Sequence, residues 1–368
     1  MVTSYPLTHT HLTQSEAQDV IDSIFPSPAS TPNEGAPQSK PLSTHPHPGQ
    51  ITHITELSSG GGSFNTCYLL HFPTPLAKQS TATAAITQLV LKIAPPPNIR
   101  LLRYESTPTP LLAIEAHLLD HLTANQPSIP VPRVLAYDDT LTILDSPFLL
   151  TTFLPGVLLS DLRPELAEEK ASVIDFEVGR LLRGVNEVRA GGGAGGWGGA
   201  WGMVSGKPEV GAWRWVGEFV EGLLRDAEDT RVLLPYGEIR RAVVMWGGAL
   251  DREVEGEEID FPDVDGEKEG EDVLDEPPHS HFPKLCILDF SDSSILVDPN
   301  TLRITGFLDF ERAFWGDPIA QDIFLPGSPG REDVIRGYNS QLALKKKKMP
   351  RASWGRGRSR RRRCRELL

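Results

Sequence analysis

Two apolar segments in the last third of the chain each lead to an aspartate, and this pair constrains the fold more than any other feature. Asp289 follows the apolar run KLCIL, and Asp309 lies in the run LRITGFLDF, 20 residues later. The intervening ILVDPNTLRIT has the pattern of a β-hairpin with a turn at DPNT. Because a hairpin returns the chain to its start, we expect the two carboxylates to converge. The alternative is that both residues merely end strands or form Asx turns.

A glycine-rich turn lies far upstream, between two segments with strand patterns, Ile51–Leu57 and Asn65–Phe72. Glycines have no Cβ, so the backbone of such a turn can approach phosphate oxygens and present N–H donors to them. Most glycine turns are only turns. The candidate phosphate-binding residues in this segment are Ser59, Gly60, Gly61, Gly62, Ser63 and Asn65.

A lysine and a glutamate follow in segments that are otherwise apolar. Lys92 lies in the strand-like QLVLKIA, and Glu115 lies in the helical LLAIEAHLL. One interpretation is a lysine that binds nucleotide phosphates and is positioned by an ion pair with the helix carboxylate. The alternative is a lysine and a glutamate that both face solvent. A helix packed on the sheet would bring the two side chains together.

The order of the patterns indicates two unequal parts. Before Pro155-Gly156 the chain reads as a small, mostly β lobe with one helix. After it, helical periodicity dominates over Pro164–Val185, Trp213–Asp226 and Glu238–Trp246. The sequence therefore predicts an α+β fold in which a β-rich lobe precedes a larger, mostly helical one.

The net charge of −13 conceals two blocks of opposite sign. Residues 251–278 contain fourteen acidic residues and two basic ones, and residues 345–368 contain twelve Lys or Arg and one Glu. Such blocks are usually solvated and disordered, so we expect both to lie outside the core. Only the basic tail favours a nucleic-acid partner or nuclear localisation.

Other features favour a cytoplasmic protein without a membrane partner. The chain has no run of 18 apolar residues, and its N-terminus lacks the basic and apolar regions of a secretory signal. Three scattered cysteines, Cys67, Cys286 and Cys364, give neither a disulfide framework nor metal-ligand spacing. The sequence leaves the oligomeric state open.

The motifs carry a resemblance to a known family. The chain contains, in this order, SSGGGSFN, VLKI, AIEAHLL, IPVPRVLAYD, FLLTTFLPG, LDFSDSSILVDP and FLDFERAFWGDP. This order resembles the aminoglycoside phosphotransferase family, more narrowly the fungal branch of that protein-kinase-like superfamily, over roughly residues 10–325. The resemblance implies a two-lobed kinase-like fold. The expected divisions are 1–50 (helix and flexible connection), 51–153 (nucleotide-binding lobe), 154–326 (catalytic lobe with a disordered insert at 251–278) and 327–368 (short helix and disordered basic tail).

The same resemblance implies ATP and Mg²⁺ as cofactors and a small hydroxylated molecule as acceptor. The glycine turn would cover the triphosphate, and Lys92, paired with Glu115, would contact its α- and β-phosphates. Asp289 would orient and deprotonate the acceptor hydroxyl. The remaining roles implied are adenine binding by Thr152 and Phe153 and metal ligation by Asp309 and Ser294.

Departures from the family pattern in the catalytic loop and after the GDP segment weaken this expectation. Ile287 and Leu288 stand where the family has His and Gly before the catalytic aspartate, and Ser294 stands where it has Asn. The family also continues with several helices after the GDP segment, so the C-terminal lobe is expected to be truncated. The sequence thus predicts an ATP-dependent phosphotransferase with a degenerate catalytic loop and weakened activity. The alternative is a pseudokinase that acts as a nucleotide- or protein-binding module.

Overall fold

The structure, a computed structural model, describes residues 10–25, 49–57, 65–76, 86–96, 111–188, 202–203, 212–254 and 283–348. The glycine turn at 58–64, most of the connection between residues 26 and 50, residues 255–282 with most of the acidic segment 251–278, and the tail from 349 onward lie outside these ranges. The predictions for those residues therefore remain predictions.

The small lobe is a five-stranded antiparallel sheet, as the patterns before Pro155 predict. Its strands are β1 (His53–Glu56), β2 (Thr66–Leu76), β3 (Ile86–Ile93), β4 (Val134–Asp138) and β5 (Phe148–Thr152). The order across the sheet is β1-β2-β3-β5-β4, so β3 lies in the centre between β2 and β5. Side chains alternate along a strand, which places Leu91 and Ile93 on one face of β3 and Lys92 on the other.

Two helices pack on this sheet. Helix α1 (Gln14–Ile24) begins with a capping box in which Thr13 and Glu16 satisfy each other's backbone N–H groups. Its buried residues join Leu91 and Ile93 in one apolar cluster. Helix α2 (Leu111–Asn125) buries most of one side and carries Glu115 on it. The prediction that a helix would present Glu115 to the strand lysine is confirmed by their contact, described below.

The larger lobe is mostly helical and contains two small three-stranded sheets. Its elements are β6 (Val157–Leu158), α3 (Leu159–Leu162), α4 (Glu168–Asn186), β7 (Gly202–Met203), α5 (Ala212–Asp229), α6 (Tyr236–Val254), β8 (Lys284–Ile287), β9 (Ile295–Val297), β10 (Ile304–Phe307), β11 (Ala313–Gly316) and α7 (Arg331–Lys348). No helix in the described ranges is long and apolar enough to cross a membrane.

The single helix predicted over Pro164–Val185 is wrong at its start. The chain instead forms α3, then a 3₁₀ turn at Arg163–Glu165, and begins α4 only at Glu168. Pro164 lies in this 3₁₀ turn, where its missing N–H costs no ladder hydrogen bond. Arg163 lies at the start of this 3₁₀ turn, and its side chain contacts Asp175 and Asp292.

The hairpin predicted between the two aspartates is confirmed. Strands β9 and β10 pair antiparallel, with Val297 opposite Ile304. At the DPNT turn the carboxylate of Asp298 accepts hydrogen bonds from the N–H groups of Asn300 and Thr301 and from the Thr301 hydroxyl. These bonds hold the pKa of Asp298 below its usual value. The local turn chemistry therefore sets this part of the fold.

The chain beyond Gly327 contributes a helix to the core. Helix α7 places Val334, Ile335 and Tyr338 in the main apolar cluster against α4. It thus adds a helix to the lobe that the departure from the family pattern predicts to be truncated. Helix α6 continues to Val254, so the first four residues of the acidic segment, which the sequence predicts to be disordered, are helical.

Candidate active site

Lys92 is surrounded by three carboxylates from two parts of the chain. Its Nζ lies 2.7 Å from Glu115 Oε2, 3.0 Å from Asp309 Oδ1 and 3.0 Å from Glu311 Oε2. The side chains of Lys92 and Glu115 are 9% and 7% exposed, whereas that of Asp309 is 54% exposed. An ammonium group has three N–H donors, so one lysine can serve all three acids. The cluster therefore opens to solvent on the side of Asp309.

The charged groups of this cluster shift each other's pKa values. Burial alone would lower the pKa of Lys92, but Glu115, Glu311 and Asp309 together raise it well above its ordinary value. Burial raises the pKa of Glu115 to about 7 despite the lysine, and the other two carboxylates add to the rise. Lys92 is thus charged at neutral pH, and the carboxylates around it exceed it in number.

Asp289, predicted as the catalytic base, and Asp309, predicted as a metal ligand, share an unusual backbone geometry. Asp289 follows β8 with a φ of 62°, and Asp309 follows β10 with a φ of 61°. Aspartate tolerates this left-handed region better than most residues, at a modest cost in energy. Each is followed by a wholly buried phenylalanine, Phe290 or Phe310. The left-handed residue lets the chain leave its strand, so the aspartate is exposed while the next side chain enters the core.

Backbone hydrogen bonds join the two aspartate turns. The N–H of Leu288 donates to the carbonyl of Arg312 at 3.0 Å, and the N–H of Leu308 donates to the carbonyl of Ser294 at 2.8 Å. Each leucine directly precedes one aspartate and bonds to a residue that follows the other aspartate, Arg312 after Asp309 and Ser294 after Asp289. This reciprocal bonding brings the turns together, in line with the convergence that the hairpin pattern predicts.

A third aspartate supports the first turn. The carboxylate of Asp322 accepts a hydrogen bond from the backbone N–H of Asp289. Burial raises the pKa of Asp322, this hydrogen bond lowers it in part, and the nearby Asp289 charge raises it again. The sequence does not indicate a role for Asp322, because no local pattern distinguishes it from any other acidic residue after the GDP segment.

Two buried amides support strand β8, where the family has its His-Gly pair. Gln321 Oε1 accepts from the N–H of Ile287 at 3.0 Å, and its Nε2 donates to Asn186 Oδ1 at 3.2 Å. Asn186 Nδ2 in turn donates to the carbonyl of Leu285 at 2.5 Å. Both Gln321 and Asn186 are fully buried. The polar support that Ile287 and Leu288 lack thus comes partly from other elements.

Of the remaining predicted site residues, Ser294 and Thr152 bond to backbone groups, Phe153 is partly buried, and those in the glycine turn are not described by the structure. Ser294 is buried, and its carbonyl serves the bond from Leu308. Thr152 ends β5, where its N–H and its hydroxyl both bond to the backbone of Arg133, so these two groups hold β4. Phe153 follows β5 and is partly buried. The predicted phosphate-binding residues from Ser59 to Ser63 lie outside the described residues.

Glu311 is the residue at this cluster that sequence reasoning missed. Besides its contact with Lys92, its carboxylate accepts a short hydrogen bond from Nδ2 of Asn65 at the start of β2. Asn65, predicted as a phosphate donor, is itself buried. The motif FLDFERAFWGDP contains Glu311 two residues after Asp309, but nothing local indicates that it turns toward the lysine.

The donor set around Asp309 fits a hard divalent cation. Asp309 and Glu311 offer carboxylate oxygens, and the cluster has more negative than positive groups. Within the described ranges, no group of three or more His, Cys, Asp or Glu could hold a metal ion by itself. Mg²⁺ is usually held by one or two carboxylates together with phosphates and water, so such a partial site suits it.

Cys67 lies opposite Lys92 on the neighbouring strand and is expected to be chemically inert. Burial raises the pKa of its thiol to about 12; Lys92 lowers it in part, and the nearby carboxylates raise it further. Alkylation by iodoacetamide at pH 8 should therefore be slower than for a free cysteine by more than about a thousandfold. Peptide mass spectrometry of native protein measures this rate. Cys67 is only partly buried, so modification at the rate of a free thiol would contradict the raised pKa of its thiol.

Several solved structures of aminoglycoside phosphotransferases are similar to this chain. A thermostable mutant of APH(4)-Ia in complex with AMP-PNP and hygromycin B aligns with a TM-score of 0.48 and 13% identity over 80% of either chain. The streptomycin-ATP-APH(2″)-IIa complex aligns with a TM-score of 0.46 and 15% identity over 80% of this chain and 81% of that one. A putative aminoglycoside phosphotransferase from Ralstonia eutropha gives 0.45 and 14%, over 91% and 79%.

The family comparison is the more decisive result. No curated protein matches the chain. Residues 77–323 match the model of the phosphotransferase enzyme family, and this range includes Lys92, Glu115 and both aspartate turns. Since the match spans well over half of the 368 residues, the chain belongs to the phosphotransferase enzyme family.

Proposed function

We propose that this protein is an ATP- and Mg²⁺-dependent phosphotransferase that moves the γ-phosphoryl group to a hydroxyl of a small molecule. The observation that carries the proposal is the contact of Lys92 with both Glu115 and Asp309. These residues come from a central strand, a helix and a turn 217 residues further along the chain. A buried lysine destabilises a fold unless its charge is paired, and here Glu115 and Asp309 pair with it. Because the cluster is open to solvent at Asp309, a ligand can reach these charges, which favours a binding role.

Each residue then has a defined task. Lys92, held by Glu115, binds the α- and β-phosphates of ATP. Asp309 and the neighbouring Glu311 would hold Mg²⁺, with Ser294 as the further ligand that the family pattern implies. Mg²⁺ would then neutralise negative charge on the phosphates. Asp289 orients the acceptor hydroxyl and accepts its proton. The hydroxyl oxygen forms a bond to the γ-phosphorus while the bond from that phosphorus to the ADP oxygen breaks, so ADP leaves with the displaced electron pair.

Activity is expected to be weaker than the family pattern would give. The side chain of Ser294 is shorter than that of the asparagine it replaces, so it reaches a metal less well. A loosened metal or a misplaced base can each slow the reaction by powers of ten, since about 1.4 kcal/mol of barrier corresponds to tenfold in rate. These replacements also favour the second candidate, a pseudokinase that binds nucleotide or protein without transfer.

Replacing Asp309 tests the nucleotide site directly. In Asp309→Asn, the affinity for ATP at millimolar Mg²⁺ should fall at least about tenfold, because a neutral amide is a poorer ligand for the cation. Isothermal calorimetry with and without Mg²⁺ measures the change. For wild-type protein, chelation of Mg²⁺ by EDTA should weaken ATP binding to a similar degree.

The matched control is Asp19→Asn, which removes an exposed carboxylate on α1 and should leave the ATP affinity unchanged. Wild-type protein that binds no nucleotide at millimolar Mg-ATP would exclude the enzyme. Wild-type protein that binds ATP equally with and without Mg²⁺, and shows no turnover, would favour the pseudokinase.

A further inference from the structure

Arg163 bridges two carboxylates that belong to distant elements. Its Nη1 and Nη2 donate to the two oxygens of Asp175 at 3.1 and 2.7 Å. Its Nη2 also donates to Asp292 Oδ1 at 2.8 Å, and its Nε makes a shorter bond to the other oxygen of Asp292. Asp292 lies three residues after Asp289, within the 3₁₀ turn Asp292–Ser294. One guanidinium thus joins the catalytic turn to helix α4.

The α4 side of this bridge is rigid. Asp175 is only 3% exposed, and its neighbours Ile174 and Val178 on α4 are wholly buried. A Cβ at Gly330 would lie 1.9 Å from Asp175 Oδ2, so the carboxylate fills the space that the glycine leaves. The planar fork of an arginine can bond each carboxylate through two N–H groups, which sets orientation as well as distance. Asp175 therefore anchors the guanidinium firmly.

The bridge holds a different part of the turn from the supports described above. Asp322 bonds the N–H of Asp289, and Gln321 bonds β8 before it. Arg163 bonds Asp292, further along the turn. Burial lowers the pKa of Arg163, but its bonds to Asp175 and Asp292 raise it overall, so the guanidinium stays charged.

We propose that Arg163 is a positioning residue for phosphoryl transfer: through Asp292 it orders the turn that carries Asp289, where the family has a His-Gly pair to do so. The inference rests on the proposed function for its kinetic consequence. Its structural consequence, order in the turn, is independent of activity. A purely structural bridge between the end of α3 and α4 would instead affect global stability and leave turnover per folded molecule unchanged.

The first experiment compares Arg163→Met with Arg180→Met by hydrogen exchange. Methionine keeps an unbranched apolar stem and removes the fork. Amide exchange in residues 289–294 should rise by about tenfold or more in Arg163→Met, while residues 86–93 of β3 keep their wild-type exchange. Arg180 is a suitable control because it lies on α4 and forms its ion pair with Glu177 on that same helix. Arg180→Met should leave the turn unchanged.

The second measurement separates positioning from binding. ATP turnover in Arg163→Met should fall by about tenfold to a hundredfold, while the dissociation constant for Mg-ATP stays within about twofold of wild type. Asp292→Asn keeps the Arg163–Asp175 pair and should reproduce both effects if Arg163→Met fails to fold. Partial recovery of turnover in Arg163→Lys would also support positioning, because lysine keeps the charge but not the fork.

The results distinguish this inference from the proposed function. Unchanged exchange at 289–294 in folded Arg163→Met, or in Asp292→Asn when the first variant does not fold, overturns the inference. Raised exchange throughout the molecule, together with lost ATP binding, also overturns it, since that is the signature of a structural role. Wild-type protein without ATP turnover contradicts the proposed function alone, because the exchange measurement still decides whether Arg163 orders the turn.

Discussion

Asp289→Asn should lower ATP turnover by about a thousandfold while Mg-ATP binds with near wild-type affinity. The carboxylate is the proposed acceptor of the substrate proton, and loss of a general base typically costs about 10²- to 10⁴-fold in rate. Asparagine suits the test because it tolerates the φ of 62° at this position and keeps the backbone N–H that bonds to Asp322. Steady-state ADP release and calorimetry measure the two effects.

Comparison with Asp309→Asn sharpens this result. Asp289→Asn should lose turnover and keep nucleotide binding, whereas Asp309→Asn should lose both. The exposed Asp19 on α1 again provides the neutral control, and Asp19→Asn should match wild type in both assays. If Asp289→Asn retained full turnover, Asp289 would not be the base. If it lost ATP binding as completely as Asp309→Asn, its carboxylate would belong to the nucleotide site instead.

The aspartate turns are predictable from sequence because their signals are local. The hairpin of β9 and β10 and the Asx turn at Asp298 need only neighbouring residues, and the order of the two lobes follows from periodicity. Lys92 and Glu115 are also predictable, since each is a lone charge in an apolar segment that must be paired if buried. The two aspartates, the lysine and the glutamate lie in motifs whose order along the chain indicates the family.

The supports of the site are not predictable in the same way. The bond from Asn65 to Glu311 joins residues 246 apart, and the bond from Arg163 to Asp292 joins residues 129 apart. Such contacts depend on how whole elements pack, and no local pattern records them. The sequence therefore indicates weaknesses in the catalytic turn at Ile287 and Leu288 but does not show what replaces the lost support.

The break before α4 illustrates the same limit. Apolar spacing over Pro164–Val185 fits one helix, yet the extended backbone of Leu166 and Ala167 separates the 3₁₀ turn that contains Pro164 from the helix proper. Periodicity reports which face is buried, not whether the chain stays helical. The consequence is functional, since Arg163 occupies this break and reaches Asp292 from it.

Gly337→Ala should severely destabilise the fold, although alanine usually stabilises a helix relative to glycine. A Cβ at Gly337 would lie 1.9 Å from the carbonyl oxygen of Phe176 and 2.7 Å from its carbonyl carbon. The reverse contact is equally tight, since a Cβ at Gly179 would lie 1.9 Å from the carbonyl oxygen of Val334. Helices α4 and α7 thus touch backbone to backbone, and a methyl group there forces them apart.

The expected loss in the free energy of unfolding for Gly337→Ala is about 3 kcal/mol or more, at the upper end for overpacked cores. Gly237→Ala is the matched control, because nothing lies within 4 Å of a Cβ added at that helical glycine of α6. It should gain up to about 1 kcal/mol from helix propensity. Urea unfolding measures both variants.

The comparison decides whether the chain after Gly327 belongs to the folded domain. If α7 packs on α4 as described, Gly337→Ala loses stability while Gly237→Ala does not. The loss should extend to the active site, because Asp175, the anchor of Arg163, lies on the same helix as Phe176. Equal stability of Gly337→Ala and wild type would mean that α7 does not contact α4. The catalytic lobe would then end before Gly327, the truncation expected from the chain's departure from the family pattern, and α4 would need another partner for its apolar face.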